Sequence, residues 1–179
     1  MSDRKISFLI HGLEGRGKST LADQLPGPRL ILDAEGGACE WTPSPKIWWE
    51  PHQEWPTEGI TTDTTIAVLV KNWKTVEDCY ARLNAGGHYI KSAAWDSLTE
   101  IQTKCRKQIE QVAGREMSIP LWGKLLDVMT ESVKDWRDLR VHPSCPIHTM
   151  FTAISVQHDG RWWADIQGAA QRKLPTYAS

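Results

Sequence analysis

The stretch KISFLIHGLEGRGKST, residues 5–20, decides the fold. Its first six residues form an apolar run that is typical of a buried strand. The glycine-rich segment that follows matches the pattern G-x-x-x-x-G-K-[ST] at every fixed position. A short helix is predicted from Lys18 to Leu25 and is expected to end at Pro26-Gly27-Pro28. Strand, glycine-rich turn and helix in this order are the context in which the pattern holds phosphate groups.

Each fixed position of the pattern has a physical role in holding a phosphate chain. Glycines let the backbone turn tightly and direct its N–H groups at phosphate oxygens. Lys18 is expected to neutralise the β- and γ-phosphates, and the hydroxyl of Ser19 is expected to ligate Mg²⁺. The predicted ligand is therefore a Mg²⁺-nucleotide. The predicted nucleotide-binding residues are Gly12, Leu13, Glu14, Gly15, Arg16, Gly17, Lys18, Ser19 and Thr20.

Strands and helices are predicted to alternate along the rest of the chain. The predicted strands cover 29–33, 66–70, 89–95 and 147–156, and a hairpin at Asp159-Gly160 leads into a last strand over 161–166. Three helices are predicted from apolar residues at helical spacing. Their stripes are Val76, Cys79, Tyr80 and Leu83 (after a cap at Thr75); Leu98, Ile101, Cys105, Ile109 and Val112; and Leu121, Leu125, Met129, Val133 and Trp136. Such alternation predicts one α/β domain over 1–179, with a mainly parallel sheet.

Residues 36–63 break the alternation and are predicted to form a long loop. The segment is rich in Pro, Glu and Thr and has no steady periodicity. It also holds four of the chain's ten tryptophans, Trp41, Trp48, Trp49 and Trp55. We expect these side chains to pack the loop onto the domain. The alternative is that they stack on nucleic-acid bases.

Two carboxylates are predicted to complete the phosphate site. Asp96 ends an apolar strand and is expected to hold the Mg²⁺ ion together with Ser19; the alternative is that it only caps the helix that begins at Leu98. Glu35 ends the second predicted strand, and the two glycines after it allow a sharp turn. We expect Glu35 to orient a water molecule against the γ-phosphate. The alternative is that Glu35 is an ordinary exposed acid of a loop.

The segments ILDAEGG (31–37) and AAWDSLTE (93–100), downstream of the glycine-rich turn, resemble the RecA-type ATPases. More closely, they resemble compact phage-encoded RecA-like nucleotide-binding proteins, some of which are single-strand annealing recombinases. The resemblance runs from Lys5 to about Gly168. It implies a RecA-like P-loop ATPase that binds ATP and Mg²⁺, with Glu35 as catalytic base and Asp96 as the second carboxylate. It also implies a polar sensor of the γ-phosphate after the Asp96 helix.

The candidates for that sensor are Thr152, Ser155 and Gln157, of which Gln157 has the best position. The resemblance further implies DNA recombination, single-stranded DNA as partner, assembly into a homo-oligomer and a place in the host-cell cytoplasm. The hairpin at 158–163, which carries Arg161 and two tryptophans, is the better candidate for DNA contact. Four glutamates of the long loop, Glu40, Glu50, Glu54 and Glu58, would repel a phosphate backbone.

The composition limits the classes of protein to which the chain can belong. The 179 residues are 40% hydrophobic and 24% charged, which is sufficient for a folded core. The net charge of -1 gives no overall basic field for nucleic acid. No stretch approaches the roughly 20 apolar residues of a membrane-spanning helix, so a soluble intracellular protein is expected. The four cysteines show no C-x-x-C pair and are expected to be free thiols.

Two other functions remain open at this point. A small-molecule kinase would use the same glycine-rich turn but would need an arginine-rich lid. The candidate lid residues Arg106, Arg115, Arg137, Arg140, Arg161 and Arg172 are not clustered in the sequence. A non-hydrolysing nucleotide-binding accessory protein is the other alternative. The chain ends 22 residues after Gln157, and we expect it to lack the strands with which RecA-type proteins complete the sheet.

Overall fold

A computed structural model describes residues 4–167 and 170–178. The chain forms a sheet whose strands are β1 (Ser7–Gly12), β2 (Arg29–Asp33), β3 (Lys46–Trp48), β4 (Thr65–Leu69), β5 (Ser92–Asp96), β6 (His148–His158) and β7 (Arg161–Ala164). Their order is β1-β6-β5-β2-β4-β3, with all of these pairs parallel, and β7 pairs with β6 antiparallel. The helices are α1 (Lys18–Ala22), α2 (Trp73–Asn84), α3 (Leu98–Ala113), α4 (Ile119–Asp138) and α5 (Ala170–Tyr177). The predicted α/β class, mainly parallel sheet and hairpin are confirmed.

Side chains of the central strands alternate between two apolar layers, because successive residues of a strand point to opposite faces. Leu30, Leu32 and Trp95 belong to the larger core cluster, together with buried residues of α2, α3, α4 and α5. Ile31 and Ala94 belong to a smaller cluster with Ala22 of α1. Both faces of the sheet are thus covered, which is why β2 and β5 are buried along their whole length.

The predicted helices are present, with four differences. α1 ends at Ala22 and not at the predicted Leu25. Asn72 caps α2, and its side chain accepts a hydrogen bond from the backbone N–H of Thr75, so the predicted cap at Thr75 is wrong. Val112 is 75% exposed, because the buried stripe of α3 ends at Ile109. Ser97, not Asp96, caps α3 and accepts from the backbone N–H of Glu100.

Aromatic rings fill the core beneath the carboxyl end of β5. The ring of Trp95 packs edge-on against Trp136 and Phe151, with centroid separations of 5.4 Å and 5.3 Å, and against Trp73 at 6.2 Å. Trp95, Trp136 and Phe151 are each at most 1% exposed. Trp95 immediately precedes Asp96, so this cluster gives Asp96 a rigid base.

The segment 36–63 is more ordered than a loop. It contains a 3₁₀ helix (Ala38–Trp41) and the edge strand β3, neither of which was predicted. Trp49 is buried and stacks on Trp55 at 4.2 Å, so packing of these two rings onto the domain is confirmed. Trp41 and Trp48 are 88% and 47% exposed, and for them the packing prediction is wrong.

The C-terminal part adds one helix that the sequence pattern did not reveal. α5 packs on α4, and its residues Ala170 and Leu174 are buried in the larger core cluster. Gly168, where the resemblance ends, and the side chain of Arg172 lie outside the described part. Among the described residues, no helix has the length and apolar character needed to cross a membrane.

We predict that His88 makes the free energy of unfolding depend on pH. Burial lowers the pKa of this side chain below its ordinary value of 6.5. Its Nδ1 atom is buried without a hydrogen-bond partner, while its Nε2–H donates to the carbonyl of Leu83 at the end of α2. The folded state therefore binds fewer protons than the unfolded state. The stabilisation is complete above pH 6.5 and is lost as pH falls from there through the lowered pKa.

Urea unfolding of the wild type and of His88→Gln between pH 8 and pH 5 checks this. The wild type is expected to lose more stability on acidification than His88→Gln, which has no titrating group at this position. His52→Gln, at an exposed histidine, serves as control and should behave as the wild type. Equal pH dependence of the wild type and His88→Gln would contradict the prediction.

Candidate functional site

A cavity of about 290 Å³ lies at the carboxyl ends of the parallel strands. We call it the carboxyl-edge cavity. Open parallel sheets bind their ligands in such crevices. It is lined by residues 14–20 of the glycine-rich loop and α1, and by Glu35, Trp41, Thr42, Asp96 and Ile154. The cavity therefore brings together the loop, Glu35 and Asp96, which the sequence places far apart.

The glycine-rich loop turns where the sequence predicts it. Gly15 and Gly17 have φ angles of 68° and 81°, a left-handed conformation that favours glycine. The ammonium group of Lys18 donates hydrogen bonds to the carbonyls of Gly12 and Leu13, both at 2.9 Å. Gly12 and Leu13 thus contact Lys18 through their backbone, and the other predicted binding residues line the cavity directly.

Asp96 lies at the end of β5 and is 2% exposed. The hydroxyl of Thr152 donates to its Oδ1 atom at 2.6 Å. Its Oδ2 atom is buried and has no hydrogen-bond partner. A buried carboxylate oxygen without a donor is costly, so a cation or a cation-bound water molecule would stabilise it.

Asp33 is the neighbour of Asp96 in the sheet, since the two residues are in register across β2 and β5. It is fully buried, and its two carboxylate oxygens accept hydrogen bonds from four backbone N–H groups. These belong to Glu35 (3.2 Å), Gly36 (2.9 Å), Gly37 (2.9 Å) and Cys39 (3.3 Å). Asp33 therefore shapes the turn that carries Glu35. An Asp ahead of glycines is typical of such side-chain-capped turns, and this was the signal in the sequence.

Glu35 extends from this turn to the rim of the cavity. The hydroxyl of Ser97 donates to its Oε1 atom at 3.1 Å. The residue as a whole is exposed, but desolvation of its carboxyl group raises the pKa of Glu35. The Ser97 hydrogen bond opposes this effect, and the negative charge of Asp96 adds to it. A raised pKa favours proton acceptance by a carboxylate. The same Ser97 hydroxyl accepts from the backbone N–H of Glu100, so it serves both the α3 terminus and Glu35.

The three sensor candidates have different positions. Thr152 contacts Asp96 and is fully buried. The hydroxyl of Ser155 lies 2.9 Å from Nδ1 of His11. Gln157 is exposed on the part of β6 that pairs with Trp162 of β7, so the structure does not bring it to the cavity. The β6 residue that lines the cavity is Ile154.

Trp41 is a candidate that sequence reasoning missed. Its indole ring is 88% exposed and lines the carboxyl-edge cavity at the end of the 3₁₀ helix. The helix is fixed at one side by the bond from the Cys39 N–H to Asp33. Beyond Trp41, the buried carboxylate of Asp23 accepts from the hydroxyl and the N–H of Ser44. No pattern in the sequence distinguishes Trp41 from its packed neighbours, because its position depends on these tertiary bonds.

A second cavity, of about 460 Å³, lies beside the β6–β7 hairpin. It is lined by His158, Asp159, Arg161, Trp163 and Gln171. The ring of Trp162, at the same hairpin, is 51% exposed. The hairpin therefore presents aromatic and basic side chains to solvent, as the sequence predicts.

No cluster of three or more histidine, cysteine, aspartate or glutamate side chains with metal-binding geometry exists within residues 4–167 and 170–178. Comparison with models of protein families and with curated protein sequences finds no match.

We predict that Asp33→Asn lowers the free energy of unfolding by about 2 kcal/mol. The amide group replaces one accepting oxygen with a donor that faces backbone N–H groups. Urea unfolding measures the change. Asp63→Asn removes the same charge from an exposed site, and its effect should stay within about 0.5 kcal/mol. Equal effects of the two substitutions would show that the four bonds to Asp33 do not stabilise the fold.

Proposed function

We propose that the chain is a RecA-like P-loop ATPase that binds Mg²⁺-ATP and acts with single-stranded DNA. One observation carries the proposal: the loop with Lys18, the carboxylate of Glu35 and the half-satisfied carboxylate of Asp96 line a single cavity. They come from the ends of β1, β2 and β5. A phosphate cradle, a base and a metal-side carboxylate are the groups that phosphoryl transfer to water requires.

The loop is suited to hold a phosphate chain. Residues 14–20 line the cavity, and the two left-handed glycines allow backbone N–H groups to face the same space. In the structure Lys18 donates to the carbonyls of Gly12 and Leu13. A bound triphosphate offers this ammonium group charged oxygens, which make stronger hydrogen bonds than neutral carbonyls.

The residues on the metal side fit Mg²⁺, which usually binds one or two protein groups together with substrate phosphates and water. Ser19 lines the cavity, and Asp96 supplies the buried Oδ2 atom without a donor. When bound, Mg²⁺ would neutralise charge on the phosphates. Ser19 and Asp96 would hold it directly or through its water molecules.

Glu35 is the group that would accept a proton from the attacking water. It lies at the cavity rim, its pKa is raised, and the Ser97 hydroxyl fixes one of its oxygens. A kinase would need positively charged side chains to close over a second phosphate group. Arg16 is the arginine that lines this cavity in the described part of the chain, and it belongs to the loop itself. The cavity thus favours water as acceptor.

The exposed ring of Trp41 is a stacking surface for the nucleotide base. It lines the cavity beside Thr42. Stacking of a flat heteroaromatic ring on an indole face that is exposed to water is energetically favourable. Since ring stacking does not read the edge of the base, Trp41 favours nucleotides over inorganic phosphates without selecting adenine.

Single-stranded DNA is proposed as partner on the basis of the resemblance and the hairpin. Trp162 offers an exposed ring and Arg161 a positive charge, the two features with which proteins bind single strands. β6 connects the two regions, because Ile154 lines the carboxyl-edge cavity and Val156 pairs with Trp163 in the hairpin. The implied homo-oligomer and cytoplasmic location remain predictions.

We predict that the purified chain hydrolyses ATP with Mg²⁺, faster when single-stranded DNA is present, and that Glu35→Gln removes turnover while ATP still binds. The amide keeps the shape of Glu35 but cannot accept the proton. Phosphate release measures turnover, and calorimetry measures binding. Glu54→Gln, at a fully exposed glutamate of the same long segment, serves as control. Undiminished turnover by Glu35→Gln would exclude its role as base, and ATP binding without turnover by the wild type would favour the accessory function.

We predict that Trp41→Ala weakens ADP binding by about 1–3 kcal/mol, which is roughly 5- to 150-fold, because one stacking contact is lost. Binding of inorganic pyrophosphate, which has no base, should not change. Trp48→Ala is the matched control, since Trp48 is also exposed but lines a different cavity. Equal affinities of Trp41→Ala and Trp48→Ala for ADP would contradict the assignment.

A further inference from the structure

We infer that Thr152 is a positioning residue that holds the Asp96 carboxylate through one oxygen, so that the other oxygen, buried and without a donor from the protein, can bind a cation. The inference rests on the proposed function and goes beyond it, because it replaces the sensor role considered for Thr152 with a role in metal affinity. Thr152 is fully buried and does not line the carboxyl-edge cavity. It therefore acts through Asp96.

The hydroxyl of Thr152 has two acceptors within reach. It lies 2.6 Å from Oδ1 of Asp96 and 3.3 Å from the carbonyl oxygen of Trp95. A hydroxyl has one proton, and the shorter contact is to the charged acceptor, which makes the stronger hydrogen bond. Oδ1 is thereby occupied, and Oδ2 remains as the oxygen without a donor.

The neighbouring carboxylate shows that this arrangement is specific to Asp96. Asp33, in register with Asp96, accepts four backbone N–H bonds distributed over both oxygens. Both oxygens of Asp33 therefore accept hydrogen bonds from the protein, and neither is left to bind a cation. Asp96 receives a single side-chain donor, so the protein orients it without neutralising it. Groups that orient a metal-binding side chain typically change metal affinity 10- to 100-fold when they are removed.

The strand itself supplies a matched control. Thr149, three residues earlier on β6, is also buried, and its hydroxyl has no hydrogen-bond partner. Thr149→Val and Thr152→Val each exchange a buried hydroxyl for a methyl group in the same strand. Only the second removes a donor from Asp96.

The experiment compares ADP binding in EDTA with ADP binding across a Mg²⁺ titration, by calorimetry, for the wild type and the variants. Thr152→Val is expected to raise the Mg²⁺ concentration of half-maximal enhancement by about tenfold and to leave binding in EDTA unchanged. Thr152→Ser, which keeps the hydroxyl, and Thr149→Val should match the wild type. If Thr152→Val does not fold, Thr152→Ala replaces it with the same expectation.

The outcomes separate the inference from the proposed function. No ADP binding by the wild type in either condition would overturn the nucleotide site and the inference together. Two outcomes would overturn the inference and leave the nucleotide site standing. In the first, the wild type binds ADP but Mg²⁺ does not enhance the binding. In the second, the wild type and the Thr152 variant without a hydroxyl show the same Mg²⁺ dependence. A Mg²⁺ shift in Thr149→Val equal to that in Thr152→Val would also overturn it, since any loss of a buried hydroxyl would then have the same effect.

Discussion

Two buried carboxylates lie side by side at the carboxyl edge of the sheet, and the cavity depends on how each of them is satisfied. Asp33 and Asp96 are in register across β2 and β5. A charge without partners in such a place costs several kcal/mol. Four backbone N–H groups satisfy Asp33 and in doing so fix the turn with Glu35. Asp96 lines the cavity and accepts one hydroxyl, and its second oxygen is buried without a donor from the protein.

The rest of the fold makes this arrangement rigid on one side and adaptable on the other. Beneath Asp96, the rings of Trp95, Trp136 and Phe151 form a close-packed layer, and α3 begins directly after Ser97. On the opposite face, α1 has five residues and packs in a small cluster. Lys18 holds the glycine-rich loop before α1 by hydrogen bonds to the carbonyls of Gly12 and Leu13. A ligand can exchange these bonds without disturbing the core.

Much of this arrangement could be predicted because it depends on local pattern. Apolar runs that end in Asp or Glu predict buried strands with acids at one edge, and the glycine pattern predicts the loop between β1 and α1. Tertiary contacts determine the rest. β3 has three residues and exists because β4 pairs with it. Both Asn72 and Thr75 can accept a capping bond, but the cap of α2 is Asn72, and Trp73, the first residue of the helix, is buried in the core. The exposed position of Trp41 and the contact of Thr152 with Asp96 connect residues that are far apart in the sequence, and no local signal indicates them.

The central claim is that the carboxyl-edge cavity is a nucleotide site built around Lys18, and ATP binding to Lys18→Ala tests it most directly. Titration calorimetry with Mg²⁺-ATP should show binding by the wild type and a loss of affinity of about a hundredfold or more in the variant, because the charge-assisted bonds to two phosphates are removed. Lys74→Ala, at an exposed lysine of α2, should bind as the wild type does. Equal affinity of Lys18→Ala and the wild type would contradict the account, because the glycine-rich loop would then not hold the phosphates.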